Sequence, residues 1–254
     1  MPEHRLTLLS CNIQAGSSTS RYRDYAIRAW SHVLPAGKRD NLDAIAQLVQ
    51  PYDIVGLQES DPGSLRSGFM NQTHYLAERA DFPYWSHQPN RTLGGIASSA
   101  NALLSRLPPN EVLDYALPGR IPGRGVLLAR YGDGEDGLTV AVAHLSLGAR
   151  SRQAQIAFIA ELLSDAPHAV LMGDFNCAPD APEMQLLFRR TRLAPPSEVF
   201  PTFPSWAPRR ALDHILASEP LIAEAPRTFP AARSDHLAVA LDLKVPKRCL
   251  GAEA

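Results

Sequence analysis

The chain has 254 residues, 45% hydrophobic and 20% charged, with a formal net charge of −1. This is ordinary globular composition, long enough to bury a sizeable core; no apolar run approaches the ~18 residues that cross a bilayer. The balanced charge gives no electrostatic footprint for tight, unselective nucleic-acid binding. The N-terminal MPEHRLTLLSCNIQ lacks a secretory core region, and the cysteines (Cys11, Cys177, Cys249) have neither CxxC nor zinc-ligand spacing. A reduced, cytoplasmic protein with cysteines as small buried hydrophobes is therefore expected, Cys11 and Cys177 lying close enough to be neighbours.

Arg5–Ile13 (RLTLLSCNI) reads as a strand that ends at Asn12. Burying an amide without a partner costs about 1–3 kcal/mol, so Asn12 is either a turn residue or faces a phosphate, a metal-bound water or another site residue. Residues 15–39 lack a period and read as a long loop with one helical turn near 25–30. Asp40 or Asn41 then caps a helix with Leu42, Ile45, Leu48 and Val49 on one face, broken by Pro51. Asp53–Glu59 (DIVGLQE) is an apolar strand ending in an acid. Glu is depleted in strands, and one at the mouth of a buried strand is a candidate cation ligand.

Residues 60–95 are expected to be irregular apart from a short helix near Asn71–Ala80, and to build a binding surface. Ser99–Arg106 reads as a strand with Asn101 inside it. Val126–Tyr131 and Leu138–His144 form a hairpin around Gly132-Asp133-Gly134. Its second strand stops at His144, which is either a satisfied core residue or a catalyst. Ser151 opens a helix with Ile156, Ile159 and Leu163 on one face and Arg152 and Gln155 in its first turn.

Ala169–Pro179 (AVLMGDFNCAP) is the most informative stretch. An uncharged, β-branched run stopped by Gly and Pro reads as a buried strand ending at a loop, the place where α/β proteins tend to hold ligands. While the backbone stays extended, Asp174 and Asn176 face the same side, a pairing suited to a metal-bound phosphate or its attacking water. Beyond it, Asp180 and Glu183 make a capping-box-like start to a helix through Phe188. Pro195–Arg210 reads as a structured lip with Phe203 and Trp206 exposed. Leu212–Leu216 is a strand carrying Asp213, and Arg233-Ser234-Asp235-His236 precedes the last strand, Leu237–Val245. One α/β domain over residues 1–246 is expected, followed by a flexible tail over 247–254.

Polar residues thus recur at the ends of apolar runs: Asn12, Glu59, His144, Asp174 with Asn176, Asp213, and Asp235 with His236. Their motifs, SCNIQ, LQES, NALLSR, VAHLSLG, GDFN, LDHIL and SDHLAV, run in that order over residues 6–245. The set resembles the endonuclease/exonuclease/phosphatase superfamily of Mg²⁺-dependent phosphoesterases. The resemblance implies a four-layer α/β sandwich of two mostly antiparallel β-sheets flanked by helices, with the site along one edge. It implies Mg²⁺, replaceable by Mn²⁺, with Glu59 as the main ligand, Asn12 beside it directly or through water, and Asp235 at a second metal. Asp174 would orient or deprotonate the attacking water, Asn176 and His144 would meet the phosphate, and His236 would pair with Asp213. Asn101 and Arg152 fall in motifs that support the phosphate as substrate-binding residues. Two departures stand out: Gln14 replaces an acid of the DNA-repair branch, and His144 replaces its tyrosine, as in the deoxyribonuclease, phosphatase and sphingomyelinase branches.

The implied activity is hydrolysis of a phosphodiester or phosphomonoester, of a small molecule or lipid headgroup, by in-line attack of a metal- and Asp-activated water. The alternative is a DNA or RNA nuclease using Arg21, Arg23, Arg28, Arg209 and Arg210 as backbone contacts. A non-catalytic binding module is a third class, disfavoured because Glu59, Asp174 and His236 are all present.

Overall fold

The computed structural model describes residues 3–14, 38–64, 67, 69–93, 97–119, 123–132 and 134–251. Of the loop expected over 15–39, residues 15–37, with Arg21, Arg23 and Arg28, lie outside the described residues, and Lys38 and Arg39 are helical. The strands are β1 (Glu3–Asn12), β2 (Ile54–Ser60), β3 (Tyr84–Leu93), β4 (Ala97–Ser105), β5 (Glu111–Ala116), β6 (Gly125–Tyr131), β7 (Leu138–His144), β8 (His168–Asp174), β9 (Asp213–Ala217), β10 (Ile222–Pro230) and β11 (Leu237–Pro246). They pair into a six-stranded sheet, β10-β11-β1-β2-β4-β3, and a five-stranded sheet, β5-β6-β7-β8-β9. Only β1/β2 and β7/β8 run parallel, so both sheets are mostly antiparallel, as expected.

Alternation along the strands divides the apolar residues into three cores. Leu8, Ile54 and Leu103 face Val140, Val170 and Met172 between the sheets. Leu9, Val55 and Leu57 point the other way, under Leu42, Ile45 and Leu76 of helices α1 (Lys38–Val49) and α2 (Gln72–Arg79). Ala141 and Leu171 lie under Ile156, Ile159, Met184 and Leu187 of α3 (Ala149–Leu163) and α4 (Pro182–Arg190). The result is a four-layer α/β sandwich. Each fully buried Leu or Ile contributes about 1.5–3 kcal/mol, so layering is favoured well before any site residue is placed. β7 and β8 are buried along their whole lengths, which is why they read as continuous apolar runs.

Several local expectations need correction. Residues 84–93 form β3 instead of an irregular loop. β5 and β10 lie at sheet edges with mostly exposed or half-buried residues, so their short alternation carries little signal. Lys38 to Asp40 are already helical, so the helix expected to be capped by Asp40 or Asn41 includes both; Asn41 instead accepts a hydrogen bond from the Arg233 backbone at 3.1 Å. Helix α3 starts at Ala149, not Ser151, and α4 has no side-chain cap, because its N-cap residue is Ala181; Glu183 turns to Arg152. Lys247–Leu250 form a 3-10 turn whose Cys249 and Leu250 enter the central core, so this stretch packs where fraying was expected. Cys11 and Cys177 belong to different cores and are not neighbours, although both are free and buried.

Candidate active site

The two sheets meet along one edge, and the polar strand ends collect there. In the five-stranded sheet, Asp174 ends β8 with His144 beside it in register on β7 and Asp213 opposite it on β9. Gly173 makes this close register feasible: it sits at φ +145°, and a Cβ there would come 1.8 Å from the Ala143 carbonyl oxygen. Any side chain would wedge β7 from β8 directly beneath His144 and Asp174. In the six-stranded sheet, Asn12 ends β1, Glu59 lies near the end of β2, and Asp235 and His236 immediately precede β11. The β2–β4 pairing slips between Leu57 and Ser60, and Glu59 adopts φ 58° at that bulge. Left-handed backbone in a non-glycine residue is costly and is found where a strand end must redirect a side chain.

Asp174 is the hub. Its Oδ2 accepts a hydrogen bond from Asn12 Nδ2 at 3.2 Å and lies 3.4 Å from His144 Nε2 and 3.9 Å from His236 Nε2. Its Oδ1 accepts from the Asn176 backbone N–H at 3.0 Å. The chain therefore turns after Asp174, with Asn176 at φ 54°, instead of continuing as the extended strand that would place both side chains on one side. The Asn176 amide donates to the Leu145 carbonyl at 3.0 Å, tying the Asp174 and His144 loops together. His236 Nδ1 pairs with Asp213 Oδ2 at 2.8 Å.

Burial and crowding set the charges. Two acids directly opposite each other across a strand pair repel. Burial first, then Asp213, push Asp174 up to about 7, with Glu59 adding to the rise. Asp235 is pushed up to about 6 by burial and by Glu59 and Asp213, against His236. For His236, burial opposes the charge, but Asp213, through its charge and hydrogen bond, together with Asp174 and Asp235 raises it to about 10. His144 goes the other way: burial, then the positive Arg124 and His236, hold it well below its ordinary range.

This crowding is also the test of whether a cation fits. Glu59, Asp174, Asp213 and Asp235 act on one another, with His236 as the cation among them. An excess of hard carboxylate oxygens suits Mg²⁺ or Mn²⁺. Ligand atoms of Asp174, Asp213 and His236 lie within 4.8 Å of one another and could hold a metal ion, but His236 Nδ1 is already engaged by Asp213.

The two residues expected at the substrate have other contacts. Asn101 is fully buried between the sheets, its amide donating to the Gly125 carbonyl at 2.7 Å. Arg152 pairs with Glu183 at 2.8 Å and donates to the Ser146 and Leu147 carbonyls. It thereby fastens the loop after His144 to helix α4, which follows the Asp174 loop. Phe203 and Trp206 are half-buried instead of exposed, and the Phe203 ring lies 4.9 Å from the His236 ring.

Sequence reasoning missed Thr202. It is fully buried in the Pro-rich lip, and its hydroxyl donates to the same Asp213 Oδ2 that meets His236, at 2.5 Å. It also missed Ser234, whose hydroxyl donates to the Asn12 carbonyl at 2.6 Å and accepts from the His236 backbone N–H at 3.1 Å, joining β1 to the His236 turn. A lone Thr among prolines has no periodicity to reveal it; Ser234, next to the Asp-His pair, had position as its only signal.

The fold is thus a two-sheet sandwich with acids and imidazoles gathered at its strand ends. A sequence model of the Endonuclease/Exonuclease/phosphatase family matches residues 9–236, and the chain belongs to that family of phosphoester hydrolases. No curated protein sequence matches it significantly. Among solved structures, it is similar to an endonuclease/exonuclease/phosphatase from Beutenbergia cavernae, with 19% identity, 95% of this chain and 72% of that chain covered, and a TM-score of 0.73. It is similar to a mannosyl-6-phosphatase from Bacteroides thetaiotaomicron, with 19% identity, 94% and 99% coverage and a TM-score of 0.63. It is also similar to ANGEL2, a 2',3'-cyclic phosphatase, with 13% identity, 95% coverage of both chains and a TM-score of 0.68. No helix among the described residues is long and apolar enough to cross a membrane.

Proposed function

We propose that this chain is a divalent-metal-dependent hydrolase of a phosphodiester or phosphomonoester, its substrate a small molecule or lipid headgroup and not long duplex DNA. The observation that carries the reading is one carboxylate oxygen, Asp174 Oδ2, faced by Asn12, His144 and His236 from both sheets. With its pKa near 7, Asp174 is poised as a general base at neutral pH. It orients a water for in-line attack and takes its proton as the new P–O bond forms and the ester bond opposite breaks. His236, kept charged by Asp213, and neutral His144 meet the negative charge that develops on the non-bridging oxygens. Asn176 fixes the Asp174 loop and presents its remaining amide functions to the phosphate.

Glu59, Asn12 and Asp235 are the residues that would hold Mg²⁺ or Mn²⁺. When bound, the cation supplies Lewis-acid polarisation of the phosphate oxygens. This set is preferred to Asp174, Asp213 and His236 because a metal on His236 needs an unprotonated ring nitrogen, and Asp213 keeps that ring charged up to about pH 10. Two of the structural neighbours are named as a mannosyl-6-phosphatase and a 2',3'-cyclic phosphatase, and the net charge of −1 offers no long-range attraction for a polyanion.

The discriminating assay compares bis-p-nitrophenyl phosphate with supercoiled plasmid and single-stranded DNA in Mg²⁺. Rapid release of nitrophenol with little nicking is expected. Plasmid nicking at rates far above the small-ester rate would establish a nuclease instead, and no hydrolysis of any phosphoester in Mg²⁺ or Mn²⁺ would leave a binding module.

A further inference from the structure

A cavity of about 560 Å³ opens between the loop that follows Asp174 and the Pro-rich lip. Cys177 and Leu212 line it, three residues after Asp174 and one before Asp213, so its inner end lies within roughly 10 Å of the reacting carboxylate by backbone length. Val199 and Pro201 give it an apolar wall, and Val199 is 54% exposed. Its rim carries Arg209 and Arg210, both exposed, and one acid, Asp180.

The main chain of both arginines is fixed by the lip. Thr202 and Phe203 donate to the Arg210 carbonyl, and the Arg209 and Arg210 N–H groups both donate to the Phe203 carbonyl, at 2.8–3.0 Å. The same short hairpin sets Phe203 on His236 and Thr202 on Asp213. Among the described residues neither guanidinium has an ion-pair partner. Two adjacent forks outnumber the single Asp180, leaving the rim positive beside an otherwise acid-rich site. A phosphate is a ligand that matches guanidiniums lining one cavity.

We propose that this cavity binds a second phosphate of the substrate, so that the natural ester carries, besides the phosphate being cleaved, another phosphate joined through an apolar or sugar body that packs on Val199 and Pro201. This rests on the phosphoesterase reading and names the substrate class for the same site. The second phosphate is either a terminal monoester of a small molecule or a neighbouring diester of an oligonucleotide.

The test uses thymidine 3'-(p-nitrophenyl phosphate) with a free 5'-hydroxyl, a 5'-phosphate or a 5'-(methyl phosphate), and reads kcat/KM ratios. The 5'-phosphate is expected to raise kcat/KM about tenfold or more over the 5'-hydroxyl, mainly through KM, the scale of one charge-assisted contact pair. Arg209→Ala/Arg210→Ala is expected to reduce that ratio to about twofold or less while its melting temperature stays with the wild type. An equal gain from the methyl phosphate assigns the cavity to an internal oligonucleotide phosphate; a gain confined to the free 5'-phosphate assigns it to a small-molecule monoester. If the 5'-hydroxyl probe is turned over as well as both phosphorylated probes, or the double variant keeps the full ratio, the second-phosphate assignment is wrong. If none of the probes, nor bis-p-nitrophenyl phosphate, nor the monoester p-nitrophenyl phosphate, is cleaved in Mg²⁺ or Mn²⁺, the phosphoesterase reading itself fails and takes this inference with it.

Discussion

His144 and His236 approach the same oxygen of Asp174, at 3.4 and 3.9 Å, yet they carry different charge. His236 has Asp213 behind it, joined through Nδ1, and stays protonated across the neutral range. His144 is just as buried but faces Arg124 and the charged His236, and stays neutral. The residue type and the burial are shared; what differs is whether a second carboxylate stands behind the ring. The fold decides this by register, because β9 brings Asp213 opposite Asp174 while β7 brings only its own apolar run beside it. One edge of one protein thereby holds a fixed cation and a neutral donor at a single anionic centre.

The strongest way to break the contrast is to remove the acid behind His236. Asp213→Asn is expected to lower kcat for bis-p-nitrophenyl phosphate by about 10³-fold, within the range for a positioned acid–base group. Because the ring then loses its charge near neutrality, the remaining activity should move to lower pH, which a kcat–pH profile reads directly. His144→Gln should cost less, about 10²-fold, and leave the profile's shape above pH 7 unchanged, since a neutral residue is exchanged for another neutral one.

A smaller effect is expected from the strut between the loops. Arg152→Ala should lower kcat about tenfold with little change in KM, because Arg152 ties the His144 loop to α4 through Ser146, Leu147 and Glu183 and touches no group facing Asp174 Oδ2. Arg152→Lys should recover part of the loss, and equal KM increases in both variants would return Arg152 to the substrate.

Metal-free stability separates the two imidazoles at equilibrium. A pKa raised from 6.5 to about 10 means that His236 contributes stability fully below pH 6.5 and loses it as pH rises through about 10. Asp174, raised from 3.8 to about 7, has the cost of its buried charge fully developed above pH 7. Burial raises the Cys11 and Cys177 thiols, which add their own loss of stability as pH approaches 9. The window from pH 7 to 8 therefore reports on His236: the melting temperature of the wild type should fall there, and that of Asp213→Asn should fall less. The smallest expected change is from Thr202→Val, about 1 kcal/mol of stability and a few-fold in kcat, for one hydrogen bond to Asp213 Oδ2.

The strands that carry the polar residues were legible wherever an apolar run stopped at one, while the two-sheet layering followed from the family resemblance. Asn12, Glu59, His144 and Asp174 each end or nearly end a buried strand, and that pattern survives without neighbours. Contacts between distant segments were not legible. Thr202 and Ser234 act through single hydroxyls across 11 and 222 residues of sequence, and Arg152 finds Glu183 across 31. Edge strands also escaped notice: β10 carries Pro226 beside a slipped pairing, and β3 includes Pro89 at another, so neither shows a clean alternation. Arg152 and Asn101 have the side chains of phosphate contacts and the positions of internal fasteners, a distinction that only packing makes.

The central claim is that Asp174, flanked by these imidazoles and supported by a divalent cation, hydrolyses a phosphoester. Its most direct test is the turnover of bis-p-nitrophenyl phosphate by protein stripped with a chelator and resupplied with Mg²⁺, measured in the wild type and in Asp174→Asn with folding checked by circular dichroism. Hydrolysis that disappears on stripping, returns with Mg²⁺ in the wild type and stays at least about 10³-fold lower in Asp174→Asn is predicted. Equal hydrolysis by both proteins, or full activity without the metal, would contradict the account.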